Sequence, residues 1–186
     1  MKDNIVPVFK KKYDEEIKKN LKSLFNWEND LAVPKIQKIV LSIGTGTEIP
    51  VKKAIEVLDI ISAQKSVVRR ARKSIAAFKL REGMENGAMV TCRGDKMYFV
   101  MQRLFLALLN WRNFGMLKTS SINVAGGRCQ LTIGIPDATI IQGVQGDASI
   151  RNIGFSFTIV SDAKEKVHFV ELLKGFGFPF IEKGDK

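Results

Sequence analysis

Arg128 to Ile135 alternates without a break, with Cys129, Leu131, Ile133 and Ile135 on one side and Arg128, Gln130, Thr132 and Gly134 on the other. Successive side chains of a strand point to opposite faces, so this run predicts a strand with one face on a core and one in water. Ile153 to Val160 repeats the pattern: Ile153, Phe155, Phe157 and Ile159 face the core, while Gly154, Ser156 and Thr158 face out. Lys35 to Ile43 does so again, with Ile39, Leu41 and Ile43 against Lys38, Val40 and Ser42. Two shorter strands are expected around Lys65 to Arg70 and Ala88 to Arg93. These strands need an apolar cover on one face only.

Segments with helical period supply it. Residues 8–24 place Ile17, Leu21 and Leu24 at helical spacing with lysines around the rest of the cylinder. Pro50 opens a helix whose apolar positions Val51, Ala54, Ile55, Leu58 and Ile61 pack it on the sheet. Lys96 to Asn110 is the strongest helix, apolar at Met97, Val100, Met101, Leu104, Phe105 and Leu108, and its Met and Phe residues read as core fillers. Asp162 is expected to cap a last helix, Ala163 to Lys174, that buries Val167, Val170 and Leu173 and ends at Gly175. Phe25 to Val33 reads as a loop ended by Pro34, Trp111 to Gly127 as irregular with Gly126 and Gly127 as turn signals, and Pro136 to Arg151 as a loop or loosely held arm. Phe176, Phe178, Pro179 and Phe180 then tuck back onto the body. At 186 residues and 45% hydrophobic content the chain reads as one domain, 1–186, with a real core.

Charge decides the class of partner. The net charge is +11 and the pI about 9.7, beyond the usual footprint of a nucleic-acid-binding domain. Between Lys65 and Arg81 stand Lys65, Arg69, Arg70, Arg72, Lys73, Lys79 and Arg81 with no acid among them, interleaved with Val67, Val68, Ile75 and Phe78. A basic segment that carries apolar residues is built into a fold, and each of its cations that neutralises a phosphate releases a counterion. Residues 71–85 form a long basic loop, read as a projecting finger. Phe78 on it has two readings: it stacks on a base or ribose, or it anchors the loop to the body. The outward strand positions Lys38, Ser42, Thr91, Arg93, Gln130, Thr132, Ser156 and Thr158 add a polar surface suited to riboses and phosphates.

Other classes fit poorly. The most apolar run, Phe99 to Trp111, is broken by Gln102, Arg103 and Asn110, which argues against a membrane span. Lys10, Lys11 and Lys12 are followed by Asp14, Glu15 and Glu16, unlike a signal or transit peptide, so the mature chain is expected to begin near Met1. Cys92 and Cys129 suggest neither a disulfide framework nor a metal site, and a reducing compartment. Gly44-Thr45-Gly46 lacks the third glycine of a dinucleotide fingerprint and the Lys and Ser/Thr of a P-loop. His168, the one histidine, sits between Val167 and Phe169 and reads as structural, and the acids are scattered. No catalytic residue, metal or cofactor is expected.

Val33-Pro34-Lys35-Ile36, Gly44-Thr45-Gly46, Gln64-Lys65, Ala71-Arg72-Lys73-Ser74-Ile75-Ala76, Phe78-Lys79-Leu80-Arg81-Glu82-Gly83 and Val90-Thr91-Cys92-Arg93-Gly94 follow one another in an order and spacing that resembles the ribosomal protein L5 family. The resemblance continues through the helix at Met97 to Leu108 to the ending Gly175-Phe176-Gly177-Phe178-Pro179-Phe180. It implies an α+β fold: a twisted antiparallel sheet of about five strands, helices packed on one face and a projecting basic loop. It implies a structural protein of the large ribosomal subunit, in a bacterial cytoplasm or an organellar (mitochondrial) matrix, that binds 5S rRNA in the central protuberance beside large-subunit rRNA. The residues expected at 5S rRNA are Lys35, Lys38, Ser42, Gly44, Gln64, Lys65, Thr91, Arg93 and Gly94. Those expected to reach P-site tRNA are Arg72, Lys73, Ser74, Phe78, Lys79 and Arg81. An intersubunit bridge to a small-subunit head protein is implied too. Ser42 stands where the family usually has Asn, and residues 136–152 depart from the family's usual sequence. A free-standing RNA chaperone or general RNA binder is the alternative for the same basic surface.

Overall fold

The computed structural model describes residues 6–46, 49–110, 117–141, 143–144 and 153–181. Its strands are β1 (Ile36–Gly44), β2 (Val67–Arg70), β3 (Glu85–Cys92), β4 (Leu117–Lys118), β5 (Ile122–Ala125), β6 (Arg128–Ile135), β7 (Phe155–Ser161) and β8 (Phe180–Ile181). Six of them form one antiparallel sheet in the order β2-β3-β1-β7-β6-β5, and β4 pairs with β8 in parallel. The helices are α1 (residues 8–24), α2 (Val51–Ser62), α3 (Gly94–Asn110) and α4 (Lys166–Phe176). An α+β fold on an antiparallel sheet is thus what the chain adopts. Alternation holds along the central strands: Ile39, Leu41, Ile43, Cys129, Leu131, Ile133, Ile135, Phe155, Phe157 and Ile159 are buried.

The sixth strand corrects the expectation of an irregular stretch. Of Ile122–Ala125 only Ile122 is buried, so four residues carry no readable period. What forms the strand is the turn after it. Gly126 and Gly127 have φ of 60° and 70°, the left-handed pair that a two-residue hairpin needs, and Ala125 pairs directly with Arg128. The expected irregularity at 111–116 lies outside the described residues.

By internal packing the chain falls into two compact units, residues 1–39, 93–132 and 159–186, and residues 40–92 and 133–158. In the first, α1 buries Phe9, Tyr13, Ile17 and Leu21, while Leu24 is exposed. Steps of four residues overshoot a 3.6-residue turn, so an α-helical stripe at this spacing drifts by about 40° per step. The segment Tyr13–Ile17 is π-helical, a wider turn that takes up part of the drift. Phe9 lies 5.6 Å from Phe105 and 5.5 Å from Phe176. Phe105 in turn meets Phe178 at 5.3 Å, so the carboxy-terminal aromatics do tuck in.

The last helix starts later than expected. Asp162 does not cap it; its Oδ1 accepts the Lys35 N–H at 2.7 Å, and α4 begins at Lys166. The helix buries Phe169, Val170, Leu172, Leu173 and Phe176, so Val170 and Leu173 face inward as expected, while Val167 in its first turn is 59% exposed. Gly175 is not the stop. It lies inside the helix, where a Cβ would meet Ile17 at 3.0 Å, and Gly177 at φ 101° ends the helix instead.

In the second unit α2 lays Ala54, Val57, Leu58 and Ile61 against β3. Its final turn is closed by the Ser62 hydroxyl, which donates to Leu58 O at 2.7 Å. Opposite Arg69 and Arg70 the register of β3 slips by one residue, a bulge at Asn86 and Gly87. Residues 136–141 and 143–144 are not a loose arm: Ala138, Ile141 and Val144 are buried, and Asp137 caps a short turn by accepting the Thr139 N–H. The remainder of the departing span, 145–152, lies outside the described residues.

Candidate nucleic-acid interface

In the second unit β2 and β3 carry the basic loop as a hydrogen-bonded finger. Ala71 N–H donates to Met84 O at 2.8 Å and Gly83 N–H to Ala71 O at 3.0 Å, closing its base. Further out, Ile75 and Leu80 exchange bonds of 2.9 and 3.1 Å around a single turn, Ala76–Phe78. The turn closes because Lys79 adopts φ 53°, a conformation a non-glycine side chain tolerates only where neighbours impose it. Ser74 is used inside the finger, its Oγ accepting the Glu82 N–H at 2.9 Å. Arg72, Lys73, Phe78, Lys79 and Arg81 are exposed. Phe78, at 69% exposure, does not anchor the loop to the body.

The other candidate residues of this unit lie on or beside the outward strand positions. Ser42 is half-buried on β1 and Gly44 exposed two residues on. The Ser42 hydroxyl lies 2.9 Å from that of Ser156 on β7. Gln64 follows α2 and donates from Nε2 to Thr91 O at 3.2 Å, so part of its amide is spent holding β3. Lys65 beside it is exposed, and Thr91 is half-buried. Ser156, an outward residue by alternation, is not among the residues expected at 5S rRNA, because its place opposite Ser42 depends on strand pairing that alternation does not specify.

The first unit holds the rest. Lys38 is half-buried on β1. Lys35 just precedes the strand with its backbone pinned on both sides, its N–H to Asp162 Oδ1 and its carbonyl accepting from the Ser161 hydroxyl at 2.9 Å, and its side chain exposed. Arg93 is exposed between β3 and α3, and Gly94, at φ 61°, makes the turn that starts α3. The lysines of α1 are partly committed. Lys10 bonds Asp95 at 2.7 Å, which raises its pKa, while Lys18 and Lys22 both bond Asp30 and hold that carboxyl below its usual range. His168 is structural in its surroundings, edge-on to Phe25 at 4.4 Å and to Trp27 at 4.9 Å.

Among the described residues no three of His, Cys, Asp and Glu are grouped so as to hold a metal ion, and no helix is long and apolar enough to cross a membrane. Cys92 and Cys129 are buried, and burial pushes the Cys129 thiol up.

Residues 29–81 match the family model described as ribosomal protein L5, and residues 85–180 the model that describes the C-terminus of the same ribosomal family. The chain is 40% identical to the large ribosomal subunit protein uL5 of Lactobacillus delbrueckii subsp. bulgaricus, over 94% of this chain and 98% of that protein. It is 39% identical to the uL5 of Moorella thermoacetica, over 93% of this chain and 97% of that one. With the uL5 of Corynebacterium urealyticum the identity is 37% across the whole of this chain and 97% of the relative. Two family models that between them span the strands, the basic finger and the closing helix, and near-full-length relatives at 37–40% identity, agree with the residue-level reading: the chain belongs to the ribosomal protein L5 family.

Proposed function

We propose that this structural, non-catalytic constituent of the large ribosomal subunit binds 5S rRNA through its outward strand positions and reaches P-site tRNA with its basic finger. The observation that carries this is placement: all the candidate residues fall within the two spans that match the family, and they combine exposed cations with short hydroxyl and amide side chains. Lys35, Lys38, Lys65 and Arg93 neutralise phosphates. Ser42, Gln64 and Thr91 reach sugar and backbone groups, while Gly44 and Gly94 let the chain approach closely, so the protein reads the folded shape of the RNA more than its sequence. The closed hydrogen-bonding of the finger supports a separate role for it, since a pre-ordered projection loses little entropy on contact. Arg72, Lys73, Lys79 and Arg81 supply charge there and Phe78 a stacking face. The bridge to the small-subunit head is assigned to the outer part of the same protein.

Competition binding at about 150 mM salt, near physiological ionic strength, tests the reading. The chain is titrated with 5S rRNA against a size-matched structured RNA. Strong preference for 5S rRNA is expected, and Lys79→Ala with Arg81→Ala should leave it largely intact. Equal binding to both RNAs would sink the proposal in favour of a general RNA chaperone.

A further inference from the structure

On the outward side of the second unit the Ser42 and Ser156 hydroxyls, 2.9 Å apart, stand at the wall of an open trough of about 450 Å³. Each hydroxyl brings one hydrogen and two lone pairs, so a bonded pair keeps one hydrogen and three lone pairs for a ligand. The trough floor beside them is bare backbone: a Cβ built on Gly44 or Gly134 meets nothing within 4 Å. Gly154, also in the lining, has a different reason to be glycine, since a Cβ there would come within 3.2 Å of the Ile135 and Pro136 carbonyls.

The chemistry of the lining narrows the ligand. No Lys or Arg lines the trough, so a phosphate lacks its counter-charge there. A base edge asks for several donors and acceptors at fixed spacing, and the hydroxyl pair offers them at a single point. A ribose 2′-hydroxyl is one group that both donates and accepts, and it distinguishes RNA from DNA. We infer that Ser42 and Ser156 act as a unit that holds one ribose 2′-hydroxyl of the bound rRNA, with the sugar seated over the backbone of Gly44 and Gly134. The inference rests on the proposed binding of 5S rRNA and adds Ser156 to it.

The test uses the full chain and 5S rRNA transcripts in which 2′-deoxynucleotides, tagged by phosphorothioates, replace ribonucleotides at random. Bound and free pools are separated and cleaved with iodine. With the native chain, deoxy substitution at one or a few positions should deplete molecules from the bound pool. With Ser42→Ala/Ser156→Ala one of those depletions should vanish, and affinity should fall by about three- to tenfold, the usual effect of one net hydrogen bond. Gly134→Val, which raises a side chain from the open floor, should weaken binding at least as much while its circular dichroism stays native. An unchanged depletion map in the double variant, or full affinity in Gly134→Val, overturns the inference and leaves the binding of 5S rRNA standing. A native chain with no preference for 5S rRNA removes both.

Discussion

Gly87→Ala should cost this protein more stability than the same change at Gly134, Gly154 or Gly175, because of what the new carbon would strike. A Cβ on Gly87 falls 2.3 Å from the Ile43 carbonyl oxygen and 3.3 Å from its carbon. The obstacle is backbone, so no rotamer change relieves it, and β1 and β3 must part by roughly 0.7 Å or more to restore a 3.0 Å contact. Overpacking of this kind costs about 1–3 kcal/mol. Parting the strands also weakens the nearby bond from Thr45 N–H to Asn86 O, 3.1 Å long, which adds about 1 kcal/mol. Against this, alanine restricts the unfolded chain and returns about 0.4–1 kcal/mol. The net loss is about 1–3.5 kcal/mol, centred near 2 kcal/mol, from the sum of these effects, a large share of the 5–15 kcal/mol typical of a folded protein. Urea titration followed by circular dichroism should therefore show the midpoint falling by about 1 M or more at ordinary slopes. Gly134→Ala is the control, with nothing within 4 Å of its Cβ, and should be neutral or slightly stabilising. If Gly87→Ala unfolds within about 0.5 kcal/mol of Gly134→Ala, the ordinary scatter of surface substitutions, the close approach at the bulge is not what requires glycine.

Three further outcomes are expected. Phe78→Ala removes a ring that is 69% exposed, so the unfolding midpoint should not move, whereas affinity for tRNA should drop by about 1–3 kcal/mol in a filter-binding assay if the ring stacks. Binding of 5S rRNA should weaken steeply between about 50 and 200 mM salt, and a flat titration would remove phosphate neutralisation as the mechanism. Burial pushes the Tyr98 phenol up to about 12 and raises that of Tyr13 as well, against about 10 in an unfolded chain. Above pH ~10 the unfolded chain therefore gives up protons that the folded chain keeps, so stability present below pH ~10 should be lost as pH rises toward 12, and Tyr98→Phe should flatten that decline in urea titrations at stepped pH.

The fold was legible wherever one periodicity ran long enough. Eight residues of strict alternation in Arg128–Ile135 settle both the strand and its buried face. The 17 residues of α3 do the same for a helix. Legibility ends where the determinant is not periodic. Ile122–Ala125 is a strand because of the turn that follows it, and α4 starts at Lys166 because Asp162 is drawn to the Lys35 backbone, 127 residues away. Gly175 looked like a stop because glycine usually is one. Its actual constraint is the approach of Ile17 from another helix.

The candidate interface divides along the same line. Exposed cations declare themselves by type, and Lys65, Arg72, Lys73, Lys79, Arg81 and Arg93 all stand in solvent as their charge demands. Short polar residues do not, because their role depends on what the sheet register sets beside them. Gln64 spends its amide nitrogen on a carbonyl of β3, and Ser42 meets a hydroxyl 114 residues on. The two groups should therefore respond differently to substitution. Losing one of the cations weakens RNA binding in proportion to charge and more so at low salt, while losing Gln64 or Ser42 also disturbs a protein contact and leaves the salt slope unchanged. A residue whose removal changes affinity without changing that slope is reading sugar or shape, and that separation sorts the interface without a structure of the complex.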